Sequence, residues 1–394
     1  MILRGIIKKQ TVGVCVLLMC GTAFQLRAQI TDLHPFALHR SRTEAVSTYK
    51  QALYSSSAHG FKHLLAASRR LRSPEFTAEE LEFQTALSYM NAGSSAMAER
   101  CILNLLHQSE RTSVFDAFAN AALGTVYIRD QRFGPAAKAF RAAIEASNAR
   151  PHDHVRNVPD SLAQQVLRFS RFWLANSLLL TGNADAAQAE YSEIIADSSS
   201  EFADDARYAV AQIVEDRDRN DDALDIYSSL IRDYPRSNVI ASANIRAAQC
   251  LIRRREYSNA LTRLTVAEEL LKEKIEENDA RAQVQYLRGE ALHALGLYDG
   301  ALKEFERVYI VRTVEQELRH RARFGAGLAT MAQKRWSEAV VLFDSVICDS
   351  ATVSSNTLSA ARLFKALALK WNSSRREASQ LLQSCARDER FVFP

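Results

Sequence analysis

An all-α chain of about eight consecutive antiparallel helix pairs is the fold this sequence predicts, and three observations carry the prediction. Glycine (13) and proline (7) are scarce among 394 residues, 47% of them hydrophobic, and long alternating β-type runs are missing. One small-residue pattern then recurs. A first helix carries Leu/Ala, Gly/Ala and an aromatic or Leu at helical spacing, a short turn follows, and a second helix begins on Ala with an aromatic or Leu four residues later. The opening alanines are Ala98, Ala136, Ala187, Ala223, Ala260, Ala301, Ala339 and Ala378, at steps of 38, 51, 36, 37, 41, 38 and 39 residues. The third observation is physical. A hairpin of this kind cannot bury its apolar face alone, so neighbours must stack. Gly or Ala in the first helix is expected to let the second-helix backbone approach closely.

The chain begins with a targeting segment, residues 1–28. Arg4, Lys8 and Lys9 form a basic region, and an apolar stretch runs from Val12 to Phe24, short of the roughly 20 residues a membrane helix needs. Cleavage after Leu26-Arg27-Ala28 leaves Gln29 first; cleavage after Gly21-Thr22-Ala23 leaves Phe24. A lipoprotein signal acylated at Cys20 is a further reading, with Met19 where a small residue is expected, and an uncleaved anchor is another. The segment holds Arg4, Lys8, Lys9 and Arg27 and no acid, so a whole-chain charge of +4 becomes neutral from Gln29 onward. Charge therefore gives no reason to propose nucleic acid as a partner.

Residues 29–76 read as an irregular lead followed by a worn capping hairpin. Residues 77–390 hold the repeats, with an insertion near 148–160. The tail 391–394 is apolar and is expected to fold over the last helix. Four cysteines lie beyond the leader: Cys101, Cys250, Cys348 and Cys385. Their wide spacing and apolar neighbours read as small buried hydrophobes rather than disulfides.

The catalytic signatures searched for are missing. There is no GxSxG, HExxH, Walker A loop or CxxC pair. Gly325-Ala326-Gly327 lies inside a first helix with no strand before it, which reads as packing rather than a dinucleotide turn. His152-Asp153-His154 is the one histidine cluster and reads as a polar loop. No enzyme activity, metal or cofactor is expected.

The copy Leu123-Gly124-x-x-Tyr127, Phe133, Ala136, Phe140 and Ala143 closely resembles the tetratricopeptide repeat, whose period is about 34 residues. The array departs from that family where an early Trp is usual (Asn120, Arg207 and Gln285 stand there) and in closing a repeat with Pro only at Pro235. The resemblance implies a right-handed superhelix of stacked helix pairs and a concave face lined by first helices that holds a peptide or helix. Carried over by position, the fifth residue of each first helix is Phe83, Ala121, Phe172, Tyr208, Ile245, Tyr286, Phe324 and Leu363. The ninth is Leu87, Thr125, Asn176, Gln212, Gln249, Glu290, Leu328 and Leu367, and the twelfth adds Glu215, His293 and Lys370. The expected partner-binding set is Phe83, Phe172, Tyr208, Gln212, Gln249, Tyr286, Glu290 and Phe324. Packing against the neighbouring first helix is the rival reading of the aromatic stripe.

Residues 203–310 also resemble the repeat units of Tol–Pal-associated periplasmic proteins and outer-membrane-assembly lipoproteins. Ala206-Arg207-Tyr208-Ala209, Ala223-Leu224-Asp225-Ile226-Tyr227 and Tyr234-Pro235-Arg236-Ser237 carry this resemblance. It implies an exported, non-enzymatic protein-interaction scaffold of the bacterial cell envelope, located in the periplasm. Its rivals are an outer-membrane-anchored or secreted form, and a self-associating structural protein.

Overall fold

The computed structural model describes residues 78–108, 115–149, 160–272, 278–349 and 352–387, with positions 58, 59 and 62. The expectations for the leader, for Cys20, for the histidine cluster of the insertion and for the apolar tail lie outside the described residues, as does the lead apart from helical Ala58, His59 and Lys62. Among the described residues there are sixteen α-helices and no strand, so the all-α class holds.

The chain divides into two compact units, 1–206 and 207–394. In the first unit lie α1 (Ala78–Asn91), α2 (Ser95–Gln108), α3 (Phe115–Arg129), α4 (Phe133–Asn148), α5 (Asp160–Leu180), α6 (Ala184–Ala196) and the start of α7 (Ala203–Glu215). The second holds the rest of α7, α8 (Asn220–Asp233), α9 (Ile240–Arg253), α10 (Tyr257–Leu271), α11 (Asn278–Ala294), α12 (Tyr298–Tyr309), α13 (Gln316–Ala332), α14 (Trp336–Cys348), α15 (Ser355–Trp371) and α16 (Arg375–Arg387). Odd-numbered helices open hairpins and even-numbered ones close them. Consecutive helices pack on one another from α1 to α6 in the first unit and from α8 to α16 in the second, and opening helices of neighbouring hairpins also touch: α1 on α3 and α3 on α5 in the first unit; α9 on α11, α11 on α13 and α13 on α15 in the second.

Each hairpin turns by the same device. The residue five before the opening alanine has positive φ: Gly93, Gln131, Gly182, Asp218, Arg255, Gly296, Lys334 and Ser373. The next residue's N–H then donates back across the turn, as in Ser94 to the Tyr89 carbonyl (2.9 Å) and Arg132 to that of Tyr127 (2.8 Å). This left-handed cap satisfies carbonyls that the helix end would leave open and reverses the chain in three residues. The opening alanine makes the first bond of the new helix; Ala98 N donates to the Ser94 carbonyl at 3.0 Å. Five of the eight turns place a residue with a Cβ in the left-handed region, at about 1–2 kcal/mol each, less for Asp218.

The opening alanines are all buried, and so is the small residue three after the fifth position. That residue is Gly124, Gly289 or Gly327 in three hairpins and Ala86, Ala175, Ala211, Ala248 or Ala366 in the others. Glycine stands there where the second helix carries Phe140, Phe305 or Phe343, and alanine where it carries Ile102, Tyr191, Tyr227, Leu264 or Leu382. The cause is contact. A Cβ at Gly124, Gly289 or Gly327 would come within 2.6, 2.6 and 2.5 Å of the Phe140, Phe305 and Phe343 rings. At these three glycines the small residue therefore admits a phenyl ring rather than the second-helix backbone, a correction to the expectation there. Gly325 serves the same purpose from the next hairpin, since its Cβ would meet Phe305 Cζ at 2.7 Å. Both glycines of Gly325-Ala326-Gly327 are thus packing residues in α13.

Cys101, Cys250 and Cys348 are free thiols. Cys250 and Cys385 are buried and Cys101 is half-buried, but Cys348 is exposed, against expectation, because it ends α14 where the helix runs into the following turn.

Candidate partner-binding face

The fifth position of the opening helix points inward, toward the second helix of its own hairpin. Phe172 meets Tyr191 (ring centroids 6.3 Å apart), Tyr208 meets Tyr227 (5.8 Å), Tyr286 meets Phe305 (5.8 Å) and Phe324 meets Phe343 (5.6 Å). Phe83 instead meets Phe118 of the next opening helix at 6.5 Å. Phe83, Phe172, Tyr208 and Tyr286 are each less than a tenth exposed, while Phe324 is half-buried. The ring faces of the aromatic stripe are thus occupied by intramolecular packing. Gln212, Gln249 and Glu290, one turn further along their helices, keep part of their surface open. Phe83 and Phe172 belong to the first unit and the other six residues to the second.

In the second unit the structure builds two polar clusters around the predicted tyrosines. Glu215, at the end of α7, is buried. Its Oε2 accepts from Tyr227 Oη at 3.0 Å and its Oε1 from Arg253 Nη1 at 3.0 Å, with Arg246 Nη1 3.6 Å away. Burial, and then the Glu215 charge, push the Tyr227 hydroxyl well above the ordinary phenol range. Burial also raises the Tyr208 hydroxyl. In the other cluster Tyr286 Oη donates to Glu290 Oε1 at 2.5 Å and accepts from Arg321 Nη2 at 3.2 Å, with the guanidinium carbon 4.6 Å from the ring centroid. Burial raises both the Tyr286 hydroxyl and the Glu290 carboxyl. These phenols stay protonated at neutral pH. Tyr227 and Tyr286 serve as hydrogen-bond donors to fixed carboxylates, and the guanidinium beside each cluster comes from the following hairpin.

Sequence reading missed Arg246 and Arg321. The available signal was an arginine about one repeat after a tyrosine at the fifth position, at 38 residues for Tyr208 and 35 for Tyr286. Among the described residues no group of three His, Cys, Asp or Glu side chains is placed to hold a metal ion, and no helix is long and apolar enough to cross a membrane. The face as built offers amides, a half-open carboxylate and guanidinium groups. That chemistry suits recognition of peptide backbone and acidic side chains.

Residues 173–238 and 245–315 match the tetratricopeptide repeat family. Those two stretches, about a third of the chain, are similar to tetratricopeptide repeats. The helix pairs resemble those of several solved structures of low sequence identity. The C-terminal part of a tetratricopeptide repeat-containing protein from Cytophaga hutchinsonii is 10% identical, covers 70% of this chain and 97% of its own, and gives a TM-score of 0.52. The apo form of RapI is 14% identical over 90% of this chain and 99% of its own, with a TM-score of 0.52. A signal transduction ATPase with numerous domains and a tetratricopeptide repeat sensor, from Pyrococcus horikoshii, is 14% identical over 83% of this chain and 51% of its own, with a TM-score of 0.54. At these identities the likeness is one of fold. No curated protein sequence matches the chain.

Proposed function

We propose that this tetratricopeptide repeat protein is a non-enzymatic protein–protein interaction scaffold of the bacterial cell envelope, holding a partner peptide or helix against the opening-helix face of its second unit. One observation carries the reading. Gln212, Gln249 and Glu290 recur at the same helical position in successive hairpins and stay half-open, Gln249 accepting from Arg246 at 3.5 Å and Glu290 sharing Tyr286 with Arg321, while the rings around them are tied up in packing. A ladder of side-chain amides suits the exposed backbone groups of an extended segment. Tetratricopeptide repeats bind protein partners in general, and the envelope assignment rests on the basic and apolar leader of residues 1–28.

Crosslinking pull-down from envelope fractions tests the face, with the full chain beside a Gln212→Ala/Gln249→Ala/Arg321→Ala variant. These side chains are partly open, so the variant keeps the fold, which circular dichroism verifies. Loss of one defined partner from the variant supports the reading; equal recovery of every partner by both chains refutes it. Sequencing the N-terminus of the protein from an envelope fraction tests export. A start at Gln29, Phe24 or an acylated Cys20 is expected, and protein recovered in the cytoplasm with residues 1–28 intact refutes the localisation.

A further inference from the structure

The turns between opening and closing helices in the last three hairpins form an edge unlike the rest of the second unit. At the α11–α12 turn, Leu295 and Leu297 are 40% and 55% exposed. The α13–α14 turn lies beside it, held by Gln333 Nε2 donating to Asp299 Oδ1 at 2.8 Å. The α15–α16 turn comes next. Trp336, opening α14, stacks on Trp371, ending α15, with centroids 6.0 Å apart and planes at 23°, and Ser337 Oγ lies 3.2 Å from Asn372 Oδ1. Trp371 is 63% exposed. Three consecutive turns thus present Leu, Leu, Trp and Trp along one edge.

The corresponding turns of the two preceding hairpins carry crosslinked charge instead. Arg254 pairs with Asp221 at 3.4 Å, Arg219 with Asp222 at 2.8 Å and Arg253 with Glu215 at 3.0 Å, and no large apolar side chain there is exposed. On the apolar edge the cations are left over. Arg335 is engaged by Glu338. Lys334, Lys370, Arg375 and Arg376 are exposed and have no carboxylate within ion-pair reach among the described residues, and two carboxylates without an ion pair, Glu377 and the Asp299 that accepts from Gln333, stand against them.

We propose that this edge docks on an anionic lipid surface, with Trp371, Trp336, Leu295 and Leu297 entering the headgroup layer and the four cations meeting lipid phosphates. Two physical arguments favour lipid over a protein. Indole rings flanked by lysine and arginine suit the membrane–water interface, where an apolar body and a polar rim are both satisfied. Protein interfaces are depleted in lysine, because ordering and desolvating its ammonium is costly, whereas an anionic leaflet takes a solvated ammonium directly. The edge is a different surface from the opening-helix face, so it leaves the scaffold free to hold a partner, and either reading can fail alone.

Tryptophan fluorescence of the full chain reads the edge specifically. The chain has three tryptophans, none in residues 1–28, and Trp173 is buried, so binding through the apolar leader leaves the signal unchanged. Vesicles of phosphatidylglycerol and phosphatidylethanolamine are expected to shift the emission to the blue, and spin-labelled lipid in them to quench it; phosphatidylcholine vesicles should do neither. Lys334→Gln/Lys370→Gln should weaken binding about 25-fold, at roughly fivefold per charge near an anionic surface. Trp371→Ser should remove most of the shift while thermal unfolding stays unchanged. The proposal is overturned by an unshifted emission at saturating anionic lipid, by equal response to phosphatidylcholine, or by wild-type affinity in the lysine variant. A response to native membranes that protease treatment of those membranes abolishes assigns the edge to a protein and also overturns it. So does a Trp371 that acrylamide cannot reach in lipid-free buffer.

Discussion

Substituting Gly289 by Ala should destabilise the second unit, whereas the same change at Gly300, eleven residues later and in the next helix, should stabilise it. A Cβ at Gly289 would lie 2.6 Å from Phe305 Cε1 and 2.7 Å from Cδ1. Comfortable carbon contacts begin near 3.5 Å, so the ring must retreat by roughly 0.9 Å. It has nowhere to go, because Phe305 is buried and its Cζ lies where a Cβ on Gly325 would come within 2.7 Å. Overpacking of this kind costs about 1–3 kcal/mol, against a gain of about 1 kcal/mol from replacing a helical glycine, so the net is a loss of up to about 2 kcal/mol. Gly300 lies in α12 with Leu292 Cδ1 3.4 Å from its would-be Cβ, and there the gain of about 0.5–1 kcal/mol stands with little offset. Trimming the ring should rescue the first variant: Gly289→Ala with Phe305→Leu should be more stable than the two single losses added together, by about 1 kcal/mol or more. Urea unfolding followed by circular dichroism measures all four chains. With a slope of about 2 kcal/mol per molar, the Gly289→Ala loss moves the midpoint down by up to about 1 M. If Gly289→Ala and Gly300→Ala shift it in the same direction, or if the double variant is additive, the ring-in-socket account of these helices is wrong.

The left-handed turns give a second expectation: Lys334→Gly should stabilise by about 1 kcal/mol in the same urea assay, and Gly182→Ala should destabilise by a similar amount, since only the backbone strain at those positions changes sign. Glu215→Ala strips the shared acceptor from Tyr227 and Arg253 and should cost about 3 kcal/mol, with Glu215→Gln costing less because an acceptor remains; equal stability of wild type and Glu215→Ala would contradict the network. Two buried groups should tilt stability with pH in opposite senses. Burial, reinforced by Asp204, pushes Asp205 from 3.8 up to about 7, so the folded state holds the proton more tightly; its contribution is present below about pH 4 and is lost as pH rises through 7. Asp205→Asn should therefore add on the order of 2 kcal/mol at pH 8 and little at pH 4. Burial lowers His320, which faces Asp349, Glu317, Arg319 and Arg323 and has Thr352 Oγ1 3.1 Å from its Nε2. Its contribution is present above the unfolded value near 6.5 and is lost as pH falls below that, so His320→Asn should flatten the acid side of a stability–pH curve measured from pH 7 to 4.

The helix pairs were legible because their determinants are local. An alanine such as Ala136 or Ala301 is fully buried where a second helix opens, and spacing along the chain is enough to find it. The Gly–Phe pairing of Gly124 with Phe140, and of Gly327 with Phe343, was also written in the sequence, although reading its geometry required seeing that the ring, not the backbone, fills the gap. The site was less legible. Tyr208 and Tyr286 occur at the right helical position, yet which side of a ring is covered depends on the second helix and on an arginine one repeat later. The stacked Trp336 and Trp371 were harder still. Each looks unremarkable in its own hairpin, and their pairing exists only once neighbouring turns lie side by side.

The phenyl ring of Phe305 is enclosed by Gly289 of its own hairpin and Gly325 of the next, and this has a bearing on how such a chain can change by recombination. The residue that corresponds to Gly325 one hairpin further on is Phe364, which packs instead near Phe343, with centroids 6.3 Å apart. Excising α13 and α14 as a module would bring Phe364 against Phe305, ring on ring, where the native interior has room only for a hydrogen atom. The hairpins look interchangeable in outline, but their order is encoded side chain by side chain, so drift by losing or duplicating a whole repeat is closed to this part of the chain unless the sockets change with it.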